Sequence, residues 1–205
     1  MFSAFDNFPA LLIWLPLAGG ILSFFMKKEG GAKMIAMISS VLSLVVVALS
    51  FIYSKQEYMM LNQVSYKWLP DLGSSFAFIL DGLTRILCLL TAIIFPLVLI
   101  ITKKDQYKNS NLFFGLMMLT QCGLMGVFMA TDALAFYFFW ELALIPVYFL
   151  SSIWGGEKRI KATFKFFIYT FVGSLFLLIG ILYMYLKNPT GTFNLADFHS
   201  INLTS

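Results

Sequence analysis

Six blocks of this chain are long, apolar and almost free of charge, and they dictate what it can fold into. A bilayer core takes about 20 residues of helix to cross. The blocks cover residues 8–26, 34–53, 78–101, 112–130, 133–154 and 164–186. The first two contain no charged residue, and the third carries Asp81 and Arg85 near its start. Across the chain only 12% of residues are charged and 60% are hydrophobic, about half the charge of an ordinary soluble domain. The reading is an all-α, polytopic integral membrane protein with six transmembrane helices, forming one membrane domain over residues 1–205. A β-barrel is excluded, because barrel strands alternate polar and apolar residues. The opening MFSAFDNFPALLIWLP has no positive n-region, so its apolar stretch is expected to stay as a spanning helix.

Orientation follows from where lysine and arginine fall between the blocks. The first, third and fifth connections hold Lys27, Lys28 and Lys33; Lys103, Lys104 and Lys108; and Lys158, Arg159 and Lys161. With Lys165 just inside the sixth block, these make ten, against three (Lys55, Lys67 and Lys187) on the opposite side. The expectation is that both the N-terminus and the C-terminus lie outside, with the odd loops in the cytoplasm.

The net charge of +4 does not indicate a nucleic-acid partner, because the basic residues sit between apolar blocks and form no single face. Cys88 and Cys122 lie inside blocks and read as small apolar residues. His199 is the lone histidine and reads as a solvated surface residue, with a ligand role as the alternative. With one histidine and two intramembrane cysteines, no metal or haem site is expected on this chain.

Glu141, in FYFFWELALIPVYFL, is the feature that asks for a function. Eleven Leu, Ile, Phe or Val residues in its block each favour insertion by roughly 0.3 to 0.6 kcal/mol, against about 3 kcal/mol for one central acid. The helix inserts, and the acid weakens it. Thr131-Asp132 is a plausible N-cap at the outer end, which places Glu141 about 13 Å deep, near the middle of the hydrocarbon. A glutamate cannot snorkel that far, so it faces other helices or a water-filled cavity. Burial disfavours a charged carboxyl and a nearby lysine favours it, so a partner that approaches or charges can switch the proton. Pro146 removes a backbone donor one turn away and predicts a local kink. Tyr137 and Tyr148 share the face of Glu141 and are placed to hold water beside it. The competing reading is that Glu141 is packing glue between helices.

Other polar residues read more plainly. Asp81 and Arg85, four apart, predict a local ion pair near the outer end of the third helix. Lys165, one residue into its block, is either a snorkelling, positive-inside lysine or an inward group that favours the charged form of a water-connected acid. Gly115, Gly123 and Gly126, with Gly173, Ser174 and Gly180, predict close helix packing. The outer segments 54–77 and 187–205 are either ordered loops or surfaces for a neighbouring subunit, and KNPTGTFN predicts a turn followed by a short extended piece.

The run TDALAFYFFWELALIPVYFLSSIWGG, followed by KATFKFFIYTFVGSL, resembles the M-type antiporter-like membrane subunits of NADH:quinone oxidoreductase, respiratory complex I. LDGL at Leu80 to Leu83 is a weaker match, shared with multisubunit cation/proton antiporters. The resemblance implies a partial antiporter-like inverted-repeat fold covering about six of some fourteen helices, so the chain is expected to be a fragment, its tail ending mid-loop at INLTS. It implies that Glu141 carries proton transfer and that Lys165 modulates it. The family's lysines of the seventh and eighth helices have no positions in this sequence. It implies no cofactor on this chain, with NADH, FMN, iron–sulfur clusters and quinone on partner subunits. Expected partners are L-type and N-type antiporter-like neighbours in the lipid bilayer of a bacterial cytoplasmic (inner) membrane, with no nucleic acid. The alternatives are a subunit of a multisubunit sodium/proton antiporter, favoured less by FFWE and IPVYFL, and a scaffold subunit without transport.

Overall fold

The computed structural model describes residues 7–26, 30–53, 62–103, 107–199 and 201. Lys27, Lys28, Lys55 and Lys104 of the charge count, and most of the INLTS tail, lie outside the described residues. Six long helices form where the apolar blocks predict them: α1 Phe8–Phe25, α2 Gly31–Ile52, α3 Gly82–Ile101, α4 Ser110–Met129, α5 Ala133–Trp154 and α6 Arg159–Lys187. All six are long and apolar enough to cross a membrane. A short helix, α7 Leu195–Phe198, lies in the tail.

Two boundaries differ most from the sequence reading. The third helix starts at Gly82 instead of Phe78, because Phe78 belongs to a β-hairpin of β1 Gln63–Leu69 and β2 Ser74–Ile79. The strands are antiparallel, with Val64 opposite Phe78 and Tyr66 opposite Phe76, and a bulge between Lys67 and Leu69. The run SSFAFI places an aromatic at every second position, the period of a strand. Phe78 is buried in the core and Phe76 packs against it. The sixth helix starts five residues early, at Arg159, and its 29 residues span about 43 Å at the ordinary helical rise.

α4 is the centre of the bundle, with 67% of its apolar stretch buried, while α6 at the edge has 11% buried. α4 packs on α1 and on α5, α2 on α1 and α3, and α6 on α5. Two glycines set the α4–α5 contact. A Cβ at Gly123 would stand 2.8 Å from the Ala143 backbone, and one at Gly126 would enter the Phe139 ring. At Gly173 and Gly180 of α6, expected to pack closely, an added Cβ would meet nothing within 4 Å among the described residues.

One end of the bundle gathers Asn7, the hairpin, the α4–α5 link and residues 192–199 around a cavity of about 1020 Å³. There the tail joins its own chain. Thr131 N–H donates to Ala77 O (2.9 Å), Leu195 N–H to Thr131 O (2.9 Å) and Ala133 N–H to Phe193 O (2.8 Å). The described parts of both outer segments, 62–77 and 187–199, are ordered against this chain. Both described ends therefore sit on one side. At the other, Lys33 Nζ donates to Thr102 O (2.6 Å) and Trp154 Nε1 to Lys108 O (3.1 Å).

A candidate proton-transfer site on the fifth helix

Asp132 fixes where α5 begins. It is 2% exposed, and its Oδ1 accepts from Leu134 N–H and Ala135 N–H, each at 3.0 Å, and from Ser74 Oγ at 3.0 Å. Its Oδ2 accepts from Ser75 N–H at 2.9 Å. The carboxylate satisfies two of the otherwise orphaned donors of the helix start and ties the hairpin to that start. The expected N-cap is observed.

Nine residues along, Glu141 sits near the middle of α5 and is half-buried. Its Oε1 is fully enclosed and has no hydrogen-bond partner among the described residues. Tyr137, one turn nearer the cap, is close to both the Ser174 hydroxyl of α6 and the Glu141 carboxyl. Tyr148, two turns further in, packs its ring 5.0 Å from Phe167 of α6. Both tyrosines therefore mark the α6-facing side of α5, and Glu141 stands between them on that side. α5 runs unbroken through Pro146, which leaves the Leu142 carbonyl, next to Glu141, without its usual intrahelical donor.

Lys165 is exposed and six residues into α6, not one. Ser174 faces α5, and nine residues at about 100° each put Lys165 half a turn away from it. Within this chain α6 stands between Lys165 and Glu141, so the structure does not bring the two together.

The expected Asp81–Arg85 ion pair gives way to a different arrangement. Asp81 Oδ1 caps α3 by accepting from Thr84 N–H at 2.8 Å. Hydrogen bonds from the Thr84 backbone and side chain hold the Asp81 carboxyl below the usual carboxylate range; partial burial opposes them, and Arg85 contributes least. Arg85 is 8% exposed, and its Nε is buried without a hydrogen-bond partner. His199 is exposed at the rim of the outer cavity. Among the described residues no three His, Cys, Asp or Glu gather as a metal site would require.

Sequence reasoning missed Ser174 as a contact of the site, the burial of Arg85, and Gln121. Gln121 is fully buried halfway along α4, and neither polar atom of its side chain is partnered. The available signal was a lone amide inside FGLMMLTQCGLMGVFM.

The arrangement is that of an antiporter-like membrane subunit, and residues 130–204 match the family described as NADH:quinone oxidoreductase/Mrp antiporter, TM. The chain is 36% identical to the F(420)H(2) dehydrogenase subunit M of Methanosarcina mazei, covering 92% of this chain and 39% of that protein. It is 34% identical to the chloroplastic NAD(P)H-quinone oxidoreductase chain 4 of Chaetosphaeridium globosum, over 96% and 39%. A subunit in the structure of respiratory complex I from Thermus thermophilus with bound NADH superposes with a TM-score of 0.79 at 30% identity, over 95% and 39%. The chain is thus similar, over nearly all of its length, to chain 4 or M-type membrane subunits of such oxidoreductases, the resemblance that its sequence motifs carry. It spans about two fifths of the length of these relatives.

Proposed function

We propose that this chain is part of a proton-translocating membrane subunit of NADH:quinone oxidoreductase, in which Glu141 accepts and releases the transferred proton. The observation that carries this reading is the enclosed, unpartnered Oε1 of Glu141 near mid-membrane. A carboxyl fixed as packing glue would spend both oxygens on neighbours. Glu141 instead keeps one enclosed oxygen without a partner among the described residues, near the Tyr137 phenol, which in turn is near the Ser174 hydroxyl. The free Leu142 carbonyl adds an acceptor for water one residue away.

In this reading the chain has no redox chemistry and no cofactor of its own. NADH oxidation and quinone reduction, with FMN and iron–sulfur clusters, belong to partner subunits, and the enzyme is the whole complex. Lys165, on the outward face of α6, would act on groups packed against that face and reach Glu141 only as a more distant positive charge. L-type and N-type subunits would be the membrane neighbours, and a bacterial cytoplasmic membrane the location, with the lysine-rich loops inside as the charge distribution requires. The sodium/proton antiporter reading has less support: the chain is only 19% identical to its match in the Mrp complex from a Dietzia species, which speaks for the fold alone.

The test is made in the full-length subunit within its complex. Glu141→Gln keeps size and hydrogen bonding but cannot release a proton at neutral pH. Proton pumping should fall roughly a hundredfold or more, the scale of a lost acid–base group, with assembly intact. Glu141→Asp withdraws the carboxyl by about 1.5 Å, a gap water can span, and should keep partial activity. Packing glue predicts the reverse order. Near-normal pumping in assembled Glu141→Gln would remove Glu141 from the relay.

A further inference from the structure

The α1–α4 part of the bundle holds a second polar place in the membrane core, on the other side of α4 from Glu141. Gln121 is 0% exposed, and its amide nitrogen and carbonyl oxygen both lack a hydrogen-bond partner among the described residues. It does not face α5. Gly123, which touches Ala143, lies two residues on, about 200° round the helix. Gln121 stands instead one turn from both Met118 and Met125, and these two methionines belong to different apolar clusters. Met125 packs with Val47, Cys88 and Ala92 towards the outer end. Met118 packs with Ala36, Phe95 and Leu99 towards the inner end.

Small polar side chains stand midway along α2 and α3, as Gln121 does along α4. Ser40, Ser43 and Thr91 are buried there. Each donates its hydroxyl hydrogen to its own helix: Ser40 Oγ to Met37 O (3.2 Å), Ser43 Oγ to Ser39 O (3.0 Å) and Thr91 Oγ1 to Leu87 O (3.0 Å). Each hydroxyl oxygen therefore keeps accepting capacity for something else. Arg85 lies two turns outward on the α3 face of Cys88 and Ala92, with its buried Nε unpartnered. So a buried amide and a buried guanidinium Nε, neither with a hydrogen-bond partner among the described residues, lie along the helices of one seam.

We propose that the α2–α3–α4 seam is a built site for water, with ordered molecules held by Gln121 at mid-membrane and by Arg85 nearer the outer end. Unpartnered buried polar groups are costly, and a roomy polar site offering two to four partners is where internal water binds. Gln121 supplies donors and an acceptor, the hydroxyls supply acceptors, and Arg85 supplies a donor. Asp81, one turn from Arg85, and Thr84, next to it in the chain, line the outer cavity, which gives water a short way in. These residues include no carboxylate facing Gln121, so the seam suits a neutral ligand and not a metal ion.

The flanking methionines make the site testable. In the full-length subunit within its complex, X-ray radiolytic labelling in ¹⁸O water converts side chains beside ordered water to products carrying the water oxygen. Met118 and Met125 should label severalfold above an unirradiated control, and Gln121→Leu, which fills the seam with an apolar group, should return both to that control. A structure of the wild-type complex that resolves water should show density about 3 Å from the Gln121 amide. Labelling of both methionines that is unchanged in Gln121→Leu would overturn the proposal. So would the absence of both label and density in the wild type, which needs no variant to assemble.

Discussion

The two sides of α4 show different ways of carrying polar groups through a membrane. On the α1–α3 side, buried serines and threonines return their hydroxyls to nearby carbonyls. Ser50 Oγ donates to Val47 O (2.7 Å), Ser39 Oγ to Leu15 O (2.7 Å) and Ser23 Oγ to Gly19 O (2.7 Å). On the α5–α6 side a single carboxyl keeps an enclosed oxygen unspent, on helices whose apolar stretches are only 22% and 11% buried. Neutral groups can be closed off by local bonds. An acid that must change its proton cannot be, so it belongs beside a face that other material can reach.

The largest expected effect contrasts the two sides directly. Where Glu141→Gln cuts pumping roughly a hundredfold, Ser50→Ala should leave it within experimental error, because its hydroxyl serves only its own helix. Equal losses in proton-flux measurements on the two assembled variants would erase the distinction. Packing gives the next contrast. Gly126→Leu forces a side chain into the Phe139 ring and should cost about 3 kcal/mol or more, at the upper end of overpacking penalties. Gly180→Ala should cost nothing within this chain, since nothing stands within 4 Å. Thermal melts of the purified subunit check both. A large loss at Gly180 would mean that the outward face of α6 is covered more tightly than α4.

Most of the spanning architecture was legible because length and hydropathy alone decide it. α5 runs over the residues expected, and Glu141 stands out because a charge in hydrocarbon needs a reason. What was not legible depended on which residues meet. Phe78 and Ile79 read as the start of a spanning helix, since a short apolar strand feeding a helix looks continuous with it. Asp81 and Arg85 read as a pair from spacing, but Thr84 N–H is nearer and already fixed in place. Lys165 could not be assigned a face until Ser174 was known to meet Tyr137. Gln121 was passed over because one amide barely changes the hydropathy of a block.

A smaller effect separates the two capping aspartates. Asp132 serves α5 and the hairpin together, and all four donors it meets come from N–H or O–H groups. Asp132→Asn would turn one oxygen into an NH₂ facing either Ser75 N–H or the helix start. It should destabilise by roughly 1–3 kcal/mol, the cost of an unmet buried group. Faster proteolysis at the hairpin should accompany the loss. Retained melting temperature and hairpin protection would show that the hairpin is held by its backbone bonds alone.

The smallest effect is expected at Asp81, which is exposed and caps only α3. Asp81→Ala should cost about 1 kcal/mol, as for other lost N-caps, and Asp81→Asn should cost less because asparagine also caps well. The pH dependence follows from the direction of its shift. The folded state holds the Asp81 carboxyl below its ordinary range, so it binds the proton more weakly than the unfolded chain does. The stabilisation is therefore complete above the ordinary carboxylate value and is lost as the pH falls through the lower native value. Thermal melts of wild type and Asp81→Ala should converge as acid is added through that window, while Asp81→Asn keeps a constant offset from Asp81→Ala. A gap between wild type and Asp81→Ala that persists in acid would show that something other than the ionised cap, such as the packing of Thr84, sets the start of α3.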